Sequence, residues 1–234
     1  MTKSIPVVFS SSSLVLLLLL QKWRRCIYHR ISSDEGESFL AGDWYGEAAQ
    51  SIAPVGIMMA FFMLIYTIWF GFAWGTIGWL LFGLSVLLAG IITVKSIKNV
   101  KHSRLFAHNI TTEGARINLA MGILSGVSYG LLWLFVIILM TIDLYILIMP
   151  FVTLIIGVHF IPQAKIMNRK LDYFVAPLPI LSALFSFYLA AQPEASWLVV
   201  YAVASVGGAI ATAIYGMYML KTYQTLALEN GVDY

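Results

Sequence analysis

Apolar runs of about 20 residues recur along this chain, and that recurrence restricts its fold more than any other feature. They lie near residues 51–70, 76–94, 118–139, 144–162, 173–191 and 197–219. A helix needs about 20 apolar residues to cross a hydrocarbon core of about 30 Å. In lipid the backbone must satisfy its own hydrogen bonds, so such runs form helices; they are continuous rather than alternating, which argues against a membrane barrel. Composition agrees: 60% of the 234 residues are hydrophobic, 11% are charged, and the mean hydropathy is +0.87. A soluble domain is about one quarter charged. The expected fold is all-α, a polytopic transmembrane helix bundle with six core spans. Residues 5–20 are a candidate seventh, read as a short signal-anchor helix or a membrane-surface segment.

Three regions follow. Residues 1–50 hold the N-terminal hydrophobic segment and a polar loop, with a short amphipathic piece near Trp44; residues 51–220 are the six-helix domain; residues 221–234 are a tail. The turn between the first two spans is expected at Gly71 to Gly75. Asp143 divides the long run from 118 to 162, because a charge is unfavourable at the membrane centre. Gln192, Pro193 and Glu194 divide the last pair.

Lys and Arg placement sets the orientation. Lys95, Lys98, Lys101, Arg104 and Arg116 share one connection, Lys165, Arg169 and Lys170 another, and Lys221 follows the last span. The opposite connections, 71–75, 140–143 and 192–196, carry neither Lys nor Arg. The basic loops and the C-terminus are therefore expected in the cytoplasm, and the bilayer is the first partner. Trp69, Trp74, Trp79, Tyr145 and Trp197 fall near the opposite interface, where amphipathic rings are favoured. The Asn109-Ile110-Thr111 sequon falls in a cytoplasmic loop and reads as chance.

Chemistry is sparse. Net charge is +3, too small to suggest nucleic acid. Cys26 is the only cysteine, so no intrachain disulfide forms. No metal-ligand spacing, nucleotide loop or nucleophile–base pattern occurs, so no metal or cofactor is expected and an enzyme has no positive support. No Asp, Glu, Lys or Arg lies near a span midpoint, which argues against a proton-coupled carrier built on a buried carboxylate. Ser125, Ser128, Tyr129, Ser182 and Ser186 could line a path for a neutral solute, or bond within and between helices.

Two stripes of small residues stand out. Gly122, Gly126 and Gly130 share one helix face, as do Ala204, Gly208, Thr212 and Gly216. Such stripes let helix backbones approach closely in lipid. Packing within the chain is the favoured reading, with a homo-oligomer contact or a sliding surface in a transporter the sharper ones. Pro150 is expected to kink its span.

His159, Pro162, Asn168, Arg169, Lys170 and Asp172 form a candidate functional turn at the end of the fourth run. They could bind lipid phosphate, a solute or a partner. The alternative is anchoring at headgroup level, with Asp172 capping the next helix.

The run G-V-H-F-I-P-Q-A-K-I-M-N-R-K-L-D-Y-F, residues 157–174, resembles a helix-end signature, G-x-H-F-x-P-x-A, of small bacterial multi-pass membrane proteins of unknown function. That resemblance implies a bacterial plasma-membrane location and no activity. Pro162-Gln163 followed by basic residues and two spans is similar to the PQ-loop sugar-transporter family, which would imply transport; the first half has no matching helix. Three roles are thus carried forward: a non-catalytic packing or partner-binding component, a small-solute transporter or channel, and a lipid-modifying enzyme using His159, Arg169 and Asp172.

Overall fold

The computed structural model describes residues 43–107 and 110–233. The segment 5–20, Cys26, His29, the sequon's Asn109 and His108 lie outside them. Every regular element among the described residues is helical: α1 (Asp43–Ile52), α2 (Val55–Ser103), α3 (Thr112–Thr141), a 3-10 turn (Tyr145–Leu147), α4 (Ile148–Ile166), α5 (Lys170–Val175), α6 (Pro177–Ala190) and α7 (Trp197–Glu229). Five helical segments are long and apolar enough to cross a membrane: Trp44–Ser103, Thr112–Thr141, Tyr145–Ile166, Lys170–Ala190 and Trp197–Glu229. The chain is an integral membrane protein.

α2 is not one rod. Helical geometry fails at Trp74 (φ −115°, ψ 17°) and Gly75 (φ 55°, ψ −133°). The second pair of angles is open only to glycine, so Gly75 permits the reversal. Beyond it the chain runs back along itself. Gly71 lies against Trp79, Gly78 against the Phe70 carbonyl, and Gly56 against Ser96 and Ile92. Those pairings define an antiparallel hairpin, with its turn inside the window read from the sequence.

α7 is the hub. It packs on α2, α4, α6 and α1. Its small residues make this possible. A methyl group at Gly208 would enter the Tyr66 ring, one at Gly216 would press on Ile92, and one at Gly207 would strike the Leu178 carbonyl. Ala204 and Thr212 are buried on the same helix. Ser182 donates to the Ala204 carbonyl at 3.0 Å, tying α6 to α7. The stripe from Ala204 to Gly216 therefore packs within the chain.

The other stripe does not. A Cβ at Gly122, Gly126 or Gly130 would meet nothing within 4 Å. α3 packs on α4 and the 3-10 turn and buries only Ser128 and Leu139. The expected intrachain packing at these three glycines is corrected: their face points away from the bundle.

Pro150 also departs from expectation. The helix begins only at Ile148, so Pro150 lies in its first turn, where no intrahelical donor is lost. It starts α4 rather than kinking it. The proline inside this helix is Pro162.

The connections sort to two ends. At one, Trp69 meets Trp197 and Tyr201 at 6.2 and 5.0 Å between ring centroids, and the Tyr201 hydroxyl donates to the Tyr145 carbonyl at 2.7 Å. At the other, α1 staples the α2–α3 connection. Gln50 donates to the Ser103 and Phe106 carbonyls at the C-terminal end of α2 (3.3 and 2.9 Å). Glu47 accepts from the Thr111 backbone N–H at 3.0 Å, at the N-terminus of α3. A donor thus meets the negative end of one helix and a carboxylate the positive end of the next.

Gly208→Leu should lower stability by roughly 1–3 kcal/mol, because the added volume has no space beside Tyr66. Gly83→Leu, which faces open space, should not. Equilibrium unfolding of both variants in mixed detergent micelles checks the contrast.

Candidate functional site

The turn singled out in the sequence closes α4. Asn168 has φ 50°, the left-handed region. The Arg169 N–H bonds the Ala164 carbonyl at 3.0 Å and the Asn168 N–H the Lys165 carbonyl at 3.4 Å. This is a Schellman cap, and asparagine is among the few non-glycine residues that tolerate its left-handed position. Asn168 is therefore placed by backbone geometry. Lys165 and Lys170 are exposed beside it.

The cap turns the chain back so that Arg169 and Asp172 lie against α7. Asp172 is 0% exposed. The Arg169 Nε sits 3.7 Å from its Oδ2, and the guanidinium stacks 5.4 Å from the Tyr215 ring centroid. Asp172 lies in the first turn of α5, where a carboxylate suits the helix dipole. It does not cap the helix: neither carboxylate oxygen makes a hydrogen bond of good geometry, and the α5 N-cap, Arg169, makes no side-chain cap bond either. The capping role read from the sequence is thereby corrected. Asp172 is thus a buried carboxylate near a span end rather than at a span midpoint.

Around this pair the polar groups form a chain. The Tyr215 hydroxyl and the Gln163 amide face the carboxylate. Gln163 Nε2 donates to Tyr215 Oη at 2.7 Å, and the same amide lies beside His159. His159 Nδ1 is 2.9 Å from Ser128 Oγ on α3. One polar seam thus runs from Arg169 through Asp172, Tyr215, Gln163 and His159 to Ser128, joining four helices. Pro162 lies within it in sequence and, lacking an N–H, leaves the Val158 carbonyl without its usual helical donor.

Of the residues read from the sequence, His159, Arg169 and Asp172 are brought together. Asn168 and Lys170 stay on the surface of the turn. Tyr215 was missed as a site residue. Its one signal was a position directly before Gly216, the end of the packed stripe, which forces that turn of α7 against its neighbours. Ser182 and Ser186, candidates for a solute path, bond backbone carbonyls instead.

A second concavity lies apart from the seam. It is an apolar cleft of about 250 Å³ between the two arms of α2 and α7, lined by Met63, Leu81, Leu84 and Ala213 among others. Its hydroxyls on Thr67 and Ser85 are spent on their own helices. Among the described residues no group of three or more His, Cys, Asp or Glu side chains could hold a metal ion.

No protein-family model, curated protein or solved structure matches the chain. The two likenesses drawn on residues 157–174 therefore stand on that segment alone.

Removing one partner of a buried ion pair leaves the other uncompensated. Asp172→Ala should therefore lower stability by on the order of 3 kcal/mol. Asn168→Ala should lower it by about 1 kcal/mol through its left-handed backbone, whereas Asn168→Gly should not. Unfolding curves of the three variants in one detergent check both.

Proposed function

We propose that the chain is a non-catalytic, self-associating component of a bacterial plasma membrane, with six core spans and its C-terminus in the cytoplasm. Helix length supports the span count. A straight helix of the 60 residues Trp44–Ser103 would be about 90 Å long, three times a hydrocarbon core of about 30 Å. Folded at Gly75, it supplies two crossings. The basic loops favour the cytoplasmic side by the positive-inside rule. The bacterial assignment draws on the likeness of residues 157–174 to the G-x-H-F-x-P-x-A proteins.

Self-association is carried by one observation: the open glycine face of α3. A Cβ added at Gly122, Gly126 or Gly130 would meet nothing within 4 Å, whereas the similar stripe on α7 is filled. Small-residue stripes are the common means of helix association in lipid, and a second copy of α3 offers a matching surface. Gly126→Leu should abolish the oligomer without lowering stability, since a Cβ added there meets nothing of its own chain within 4 Å. Subunit counting by photobleaching in nanodiscs checks this. A wild-type protein that is monomeric throughout, or an oligomer that survives the substitution, would refute the reading.

A second reading, a small-solute carrier, is favoured by the unbonded oxygens of Asp172 at one end of the seam and by His159 within it. Liposomes containing wild-type protein should then show flux above leak for some member of a neutral-solute panel, and His159→Ala should reduce it. Background leak from both proteins would remove this reading.

A further inference from the structure

We infer that the turn from Lys165 to Lys170 is a binding site for the phosphate of an anionic phospholipid, with the Arg169 guanidinium as its fork. This goes beyond the self-association reading and does not depend on it.

A guanidinium carries five N–H donors. Those of Arg169 are poorly used. Its Nε is buried without a hydrogen bond, and Asp172 stands 3.7 Å away, beyond bonding distance. Nη1 has a thioether for an acceptor, the Met219 sulfur at 3.8 Å. Sulfur of that kind accepts weakly. Among the described residues no oxygen acceptor engages the terminal nitrogens, and the side chain remains 18% exposed.

The group is nevertheless fixed in place. The Tyr215 ring lies with its centroid 5.4 Å from the guanidinium carbon, Met219 stands at one nitrogen, and the buried Asp172 carboxylate holds the Nε side. A planar fork fixed by its surroundings, with terminal donors unfilled, suits bidentate contact with a tetrahedral oxyanion. Asp172 offsets part of the charge. Lys165 and Lys170, both exposed and neither in an ion pair among the described residues, restore a positive excess.

The neighbouring rings select a lipid over free phosphate. Directly after the basic turn, Tyr173 is 46% exposed and Phe174 77% exposed. Aromatic rings are favoured at the membrane–water interface, where they would lie along the glycerol and upper acyl carbons of a lipid whose phosphate sits at Arg169.

The test uses the full chain in detergent, titrated with short-chain phosphatidylglycerol, with phosphatidylcholine and inorganic phosphate as the other arms. Phosphatidylglycerol should bind more tightly than phosphatidylcholine. Arg169→Lys keeps the charge but loses the fork, and should weaken binding roughly tenfold. Lys165→Gln and Lys170→Gln should each weaken it about fivefold. Phe174→Ala should weaken lipid binding and leave any phosphate binding unchanged. Equal affinity of wild type and Arg169→Lys for phosphatidylglycerol would overturn the proposal. If Arg169→Lys fails to fold, the two exposed lysine variants decide, and unchanged affinity in both overturns it. Inorganic phosphate that binds as tightly as the lipid, with Phe174→Ala without effect on either, overturns the lipid assignment in favour of a soluble phosphate.

Discussion

The bundle depends on how closely α7 can approach the α2 hairpin. In lipid the chain gains nothing by moving an apolar side chain from acyl tails to a neighbouring helix, so association rests on contact itself. Here the contact is made by absence of side chain. Tyr66 lies over Gly208, and Ile92 fits against Gly216. Around these contacts the buried Met63, Ile92 and Leu220 join hairpin to hub, while Phe160, Val175 and Tyr215 join α4 and α5 to the same helix. α3, which lacks such a contact with α7, is held at the periphery through α4.

The polar seam depends on the same approach. Asp172 belongs to a helix of six residues that could not bury a carboxylate alone. It is buried because α7 brings Tyr215 and Met219 over the turn that carries it. A buried pair with so few hydrogen bonds is a weak source of stability. Its effect is geometric: it fixes where the α4–α5 turn stands against α7, and with it the direction of the Arg169 fork.

Much of this was legible in the sequence, because membrane crossing imposes a length on each helix and a charge pattern on each loop. The reversal at Trp74 and Gly75 fell inside the expected turn, and Asp143, at φ 58°, ends α3 where its charge suggested a break. What failed has physical causes. A small-residue stripe looks the same whether it faces a neighbour in the chain or open space, so Gly122 and Gly208 could not be told apart. Pro150 was read as interior because the apolar run begins near residue 144, whereas a 3-10 turn delays the helix to Ile148. The seam could be read only in part. His159, Arg169 and Asp172 are close in sequence, but Tyr215 and Ser128 reach them from other helices, and no local pattern encodes that meeting.

The position of the hub in chain order has a consequence for biogenesis. α7 is the last of the described helices to be synthesised, yet the hairpin, α4 and α6 all pack on it. Until it enters the bilayer, the faces that will receive it are covered by lipid. The earlier helices must therefore insert as separate units held by their own loops, such as the glycine reversal and the α1 staple, and wait. Closure of the bundle therefore waits on entry of α7 into the membrane. A delay there would leave inserted but unassembled helices exposed to membrane quality control.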